Sequence, residues 1–117
     1  MRGTALAAKF QIQLFLTRIK ETITSKNFVV IPRDKNNEFL AKTGMTPKER
    51  ENIILSLESW HYIKGPVSDH KNHGEKEIWV FKVNYSGKDI YIKLKLSPNS
   101  DTKTFFGKCL SFHESDI

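Results

Sequence analysis

Residues 90–97, IYIKLKLS, alternate between the two faces that a β-strand presents. Successive strand side chains point to opposite sides, so such a run is satisfied only in a sheet with one buried face. Ile90, Ile92, Leu94 and Leu96 then lie on the core side, and Tyr91, Lys93 and Lys95 on the other. Similar stretches flank it at about 76–85 and 104–113, and YSGK (85–88) suits a hairpin turn. SPNSDTK (97–103) reads as a polar loop. The pattern predicts an antiparallel meander. On its last strand Leu110 and Phe112 are expected to look inward, and Cys109, Ser111 and His113 outward. Tyr91, Lys93 and His113 would then share one open surface.

The N-terminal half reads as helices that cover the apolar face. Within 5–26, Ile12, Phe15, Leu16, Ile19 and Ile23 recur at helical spacing, with Lys20 and Glu21 on the other side. NFVVIP (27–32) is a short β-branched run stopped by Pro32, hence a strand. Residues 35–44 predict a short helix ended by Gly44, which tolerates the left-handed conformation there. Thr46, Pro47 and Glu49 form a capping-box signature for a helix over 47–58, with Ile53, Ile54 and Leu57 buried. WHYIKGPVSDHKNHGE (60–75) reads as irregular, with at most a short strand at its start. There is no repeat, long linker or low-complexity tract. The prediction is one α+β domain over residues 1–117, its N-terminal helices packed on one face of a small antiparallel sheet.

Charge narrows the function. Nineteen Lys and Arg against thirteen Asp and Glu give a formal net charge of +6. Such a surface attracts phosphates, anionic membranes or an acidic partner. The single cysteine, Cys109, cannot form an intramolecular disulfide, which favours a reducing compartment. The apolar stretch TALAAKFQIQLFL is broken by Lys9, Gln11 and Gln13 and makes neither a spanning segment nor a signal-peptide core. A cytoplasmic protein without a membrane partner is expected. The histidine cluster DHKNH (69–73) lacks the ligand number of a structural zinc site and reads as a solvated loop, so neither a metal site nor a cofactor is expected. No Gly-rich phosphate loop, two-metal carboxylate cluster, RNA-binding aromatic box or helix-turn-helix pattern is present.

The polar sheet face fits one chemistry. Lysines hold a phosphate while a tyrosine and a histidine position or move protons around it. Lys64, in YIKGP, adds a cation on a Gly-Pro segment that a ligand can approach. The ordinary reading of each residue differs: a half-packed tyrosine, solvated lysines, a surface histidine. Trp60, Tyr62, Trp79, Phe81 and Tyr85 either stack on unpaired bases or fill the fold.

LSLESWHYIKGPVSDH, EIWVF, GKDIYIKLKL and CLSFHE stand in the order and spacing of the MqsR family of toxins from bacterial type II toxin–antitoxin systems. FVVIPRDKNNEFLAKTGMTPKERENIILSL is similar to that family's helical half, so the resemblance covers roughly 10–114. It implies a fold similar to RelE-like ribonucleases. It also implies a sequence-selective endoribonuclease that cuts mRNA and inhibits translation, and a cognate antitoxin. Lys64 matches the family's lysine after the Tyr region, Tyr91 the tyrosine opening its YIKL strand, and Lys93 the lysine two residues on. Two positions depart: His113 stands where the best-known branch has lysine, and Val80 where it has a functional glutamine. That branch's cut-site preference therefore does not transfer. Combined with the residues, the expected reaction is metal-independent. The RNA 2′-hydroxyl attacks the adjacent phosphate, Lys64 and Tyr91 assist, His113 protonates the leaving oxygen, and Lys93 and Lys95 bind substrate. The alternative is a non-catalytic RNA- or protein-binding module using the same basic face.

Overall fold

The structure is a computed structural model, and it describes residues 7–69, 75–99 and 104–115. Three helices, α1 (Lys9–Thr24), α2 (Asp34–Thr43) and α3 (Pro47–Leu55), cover one face of a five-stranded sheet. The strands are β1 (Phe28–Val30), β2 (Tyr62–Asp69), β3 (Glu75–Tyr85), β4 (Lys88–Asn99) and β5 (Thr104–Glu114). A single 3₁₀ turn, Ser59–His61, leads into β2. The sheet order is β1-β5-β4-β3-β2. Strands β3 to β5 form the expected antiparallel meander, β2 extends it antiparallel to β3, and β1 adds a parallel edge along residues 107–109 of β5.

Most of the predicted core is observed. Ile12, Phe15, Leu16, Ile19 and Ile23 of α1 pack with Ile53 and Ile54 of α3 against Phe81, Ile90, Ile92, Leu94 and Phe112 of the sheet. Each such side chain contributes roughly 1.5–3 kcal/mol by leaving water. Helix α2 ends at Gly44, whose φ of 73° lies in the left-handed region. Thr46 caps α3 through a bond from Glu49 N to its Oγ1 (3.1 Å), and Glu49 Oε1 returns a bond to Thr46 N (3.0 Å). The helix stops at Leu55, short of residue 58, yet Leu57 is still buried.

Two expectations are corrected. First, 62–69 is a full strand, not an irregular segment. It forms the sheet edge opposite β1, where the missing N–H of Pro66 is tolerated, and its pairing with β3 carries three register shifts. Gly65 makes this course possible: its φ is 132°, and a Cβ there would stand 2.8 Å from the Ile78 carbonyl oxygen and 2.9 Å from Trp79 Cα.

Second, Cys109 faces the core and Leu110 does not. Lys93 pairs with Ser111 but Leu94 pairs with Cys109, so Leu110 is the extra residue of a β-bulge. The bulge shifts parity by one. Phe112, Ser111 and His113 keep their expected faces, while Cys109 becomes fully buried. Burial pushes its thiol pKa up to about 12.

The DHKNH cluster beyond Asp69, and residues 100–103 of the polar loop, lie outside the described residues. Among the described residues no helix is long and apolar enough to cross a membrane.

Candidate active site

Cross-strand pairing arranges the open face in rows. Lys82, Tyr91 and His113 oppose one another across β3, β4 and β5. The next row is Lys64, Val80, Lys93 and Ser111. Directly opposed side chains are near neighbours on one face. The Tyr91 and His113 rings lie with centroids 5.8 Å apart at 31°, and Lys93 Nζ stands 6.0 Å from the Tyr91 ring centroid.

Over this corner of the sheet sits the start of α2. Strand β1 covers β5 only along 107–109, so beyond it the chain turns at Ile31–Arg33 and brings α2 beside the rest of β5. The result is a cleft of about 470 Å³ whose walls include Tyr91, Lys93, Ser111 and His113 from the sheet and Arg33 and Lys35 from the helix start. Asn36 joins the two walls. Its Nδ2 donates to the Ile31 and Leu110 carbonyls (2.9 and 3.1 Å), and its Oδ1 accepts from Phe112 N (2.9 Å). The bulge frees those β5 backbone groups, and Asn36, itself 1% exposed, satisfies them.

Proton chemistry at the cleft is set by local contacts. Burial raises the Tyr91 phenol above its ordinary pKa of 10.0, despite the ammonium of Lys93 nearby. Tyr91 is therefore a neutral hydrogen-bond donor and acceptor at physiological pH. His113 Nδ1 lies 3.0 Å from the Glu114 carbonyl oxygen. A carbonyl only accepts, so Nδ1 carries the proton in that bond and Nε2 is left as the exchanging nitrogen.

Of the five residues singled out in the sequence, the structure gathers Tyr91, Lys93 and His113 at this cleft. Lys64 is exposed on the Lys93 row but two strands away, roughly 10 Å at ordinary strand spacing. Lys95 does not present a solvated ammonium. It is 5% exposed and its Nζ lies 3.1 Å from Glu77 Oε2, so it is held within the sheet face. Val80, between Lys64 and Lys93, is fully buried. Of the five aromatics, Tyr62, Trp79 and Phe81 pack toward the core beside Phe15, whereas Trp60 and Tyr85 are exposed.

Sequence reasoning missed Arg33, Lys35 and Asn36, because polar and charged residues at the start of a short helix read as its solvated end. It also missed Lys82, for which strand parity with Tyr91 was the available signal. Among the described residues no group of three or more His, Cys, Asp or Glu is placed to hold a metal ion.

Helices on one face and ionisable groups on the other make this an α+β fold compatible with RelE-like ribonucleases. The chain belongs to the family described as motility quorum-sensing regulator, toxin of MqsA, whose family model matches residues 12–114. That family makes it the toxin of a toxin–antitoxin pair, with an MqsA antitoxin as partner. No curated protein and no solved structure matches the chain.

Proposed function

We propose that the toxin acts as an endoribonuclease on mRNA, in a reaction that needs no metal ion, and so inhibits translation in the cytoplasm. The observation that supports this best is the meeting of Tyr91, Lys93 and His113 at one cleft. The RNA 2′-oxygen forms a bond to the adjacent phosphorus as the bond from phosphorus to the 5′-oxygen breaks. The 2′-hydroxyl proton passes to water, oriented by the Tyr91 hydroxyl. Imidazolium His113 gives its Nε2 proton to the departing 5′-oxygen. Lys93 and Arg33 stabilise charge on the phosphate, and Lys64 and Lys82 steer the strand from the neighbouring rows. Lys95 takes no direct part, because Glu77 holds it.

The products are a 2′,3′-cyclic phosphate and a 5′-hydroxyl. Incubating purified toxin with a mixed RNA pool in excess EDTA tests this. Cutting that persists and leaves 5′-hydroxyl ends is expected. Cutting that requires added divalent ion and leaves 5′-phosphates refutes the mechanism. Val80 favours a second reading, an RNA-binding module without cleavage, since a buried valine offers the substrate no polar group. Intact RNA bound at the same face is the outcome that selects it.

A further inference from the structure

A second cleft of about 460 Å³ opens at the opposite end of α2, beside the β3–β4 hairpin. Its lining combines apolar Phe39, Met45 and Ile90 with Tyr85, Lys42 and Lys88. A shallower channel of about 250 Å³ connects it to the active cleft. This channel shares Lys35 and His113 with the active cleft, and Phe39 and Lys42 with the second one. Lys35, Phe39 and Lys42 are spaced as one stripe of α2, so a single helix face lines the whole path. The path runs around the part of β5 that β1 leaves uncovered.

We propose that the second cleft receives an unpaired nucleobase of the RNA whose scissile phosphate sits at Tyr91 and His113, and so sets the sequence preference around the cut. The proposal rests on the endoribonuclease reading above. Three observations carry it. The first is chemical: Tyr85 is 40% exposed and lines the cleft together with apolar Phe39, Met45 and Ile90, and an aromatic ring among apolar side chains is the combination on which unpaired bases stack.

The second is electrostatic. The cleft and channel mix Lys35, Lys42 and Lys88 with Glu38, Glu49 and Glu114, and Lys88 Nζ lies 3.8 Å from Glu114 Oε1. Interspersed carboxylates repel a run of phosphates. They suit a neutral base, whose edge presents both donors and acceptors. The phosphate stays in the active cleft, where Arg33, Lys35 and Lys93 outnumber the single carboxylate, Asp34.

The third is reach. Ile90 faces the helices and Tyr91 the open side, so the RNA reaches the second cleft around β5 and along α2, where Lys35 of the active cleft and Lys42 of the second are about 10 Å apart. A nucleotide next to the scissile phosphate, or the one beyond it, spans that distance.

The test uses a random-sequence RNA pool, with cut ends sequenced, and a short RNA carrying a 2′-deoxy residue at the cut so that it binds without reacting. Wild type, Tyr85→Ala and Tyr85→Phe are compared. Tyr85 is exposed at a hairpin, so both variants should fold, and melting checks this. Tyr85→Ala should flatten the preference at one position near the cut and weaken binding of the 2′-deoxy RNA about tenfold. Tyr85→Phe keeps the ring and should keep both. A wild-type protein that cuts RNA, with Tyr85→Ala showing the same preference and affinity, overturns the base site and leaves the endoribonuclease reading standing. Tyr85-dependent binding without any cutting has the opposite meaning. Neither binding nor cutting by wild type overturns both.

Discussion

Asn36 and Leu110 are joined across 74 residues of chain: the Asn36 amide nitrogen lies 3.1 Å from the Leu110 carbonyl oxygen, at the one residue β5 has in excess. The same side chain accepts from Phe112 N, so the bulge and the segment that follows it are both held. Asn36→Ala strands buried backbone groups and should cost about 2 kcal/mol or more in urea unfolding. Asn36→Asp keeps the acceptor but loses both donated bonds and buries a charge, and should cost at least as much. In either variant that still folds, turnover should fall more than RNA affinity, because His113 hangs from the segment the clamp holds. Unchanged unfolding and turnover in both would show that the bulge holds itself.

That clamp marks where the sequence stopped being legible. Ile90, Ile92 and Leu94 declared the core by simple alternation, and α1 by its helical stripe, because one buried face enforces one period. Tyr91, Lys93 and His113 followed from the same parity. Cys109 and Leu110 did not, since a bulge leaves no trace in composition and rests on a side chain 74 residues away. Strand β2 was hidden by Gly65-Pro66, which marks loops except at a sheet edge. Lys95 looked like Lys93 because Glu77 reaches it only through pairing that the sequence does not display.

Cys109 should be inert in the folded protein. Its thiol is buried and its pKa is raised from 9.0 to about 12, so the reactive thiolate is scarce. A chromogenic disulfide reagent at pH 8 should label it only at the rate of unfolding, and at once in denaturant. The folded state binds this proton more tightly than the unfolded state. Its contribution to stability is therefore complete below about pH 9 and lost as pH rises toward about 12. Fast stoichiometric labelling of native protein would place Cys109 outside the core.

Lys93 and Lys95 should part company under mutation. Lys93→Ala should lower the slope of log affinity against log salt by about 1, with little change in melting. Lys95→Ala removes the buried ammonium 3.1 Å from Glu77 Oε2 and should cost about 1–3 kcal/mol of stability while the salt slope barely moves. The reverse pattern would put the RNA nearer Lys95 than Lys93 on that face.

Tyr91 should act as a protonated phenol. Burial raises its pKa, so the phenolate appears only above the ordinary 10.0. Difference titration of phenolate absorbance between wild type and Tyr91→Phe should place the Tyr91 transition above the ordinary 10.0. The stability it lends is present below pH 10 and is lost as pH climbs through the raised value. Cleavage by Tyr91→Phe should fall about tenfold at every pH between 6 and 8, the loss of a positioning hydrogen bond. A loss confined to high pH would instead assign Tyr91 the role of base.

His113 carries the sharpest expectation. It lies on the open face between core residues of β5, so His113→Ala leaves Phe112 and its neighbours in place. Losing the ring's contact with Tyr91 shifts stability by about 1 kcal/mol. Loss of the general acid should slow cleavage by roughly a hundredfold. The half-buried ring also stacks obliquely on Tyr91, so RNA affinity is measured alongside rate. His113→Lys separates charge from proton transfer. A lysine ammonium supplies the cation but holds its proton to a reference pKa near 10.4. If charge at that point is what matters, His113→Lys recovers much of the rate and flattens its pH dependence. If proton donation to the 5′-oxygen matters, rescue is poor, and a substrate with a better leaving group, such as an aryl phosphodiester of uridine, is cut by His113→Ala nearly as fast as by wild type. Such a leaving group departs without a proton, so its selective rescue identifies His113 as the acid. Equal loss on both substrates would leave His113 a positioning residue for Tyr91.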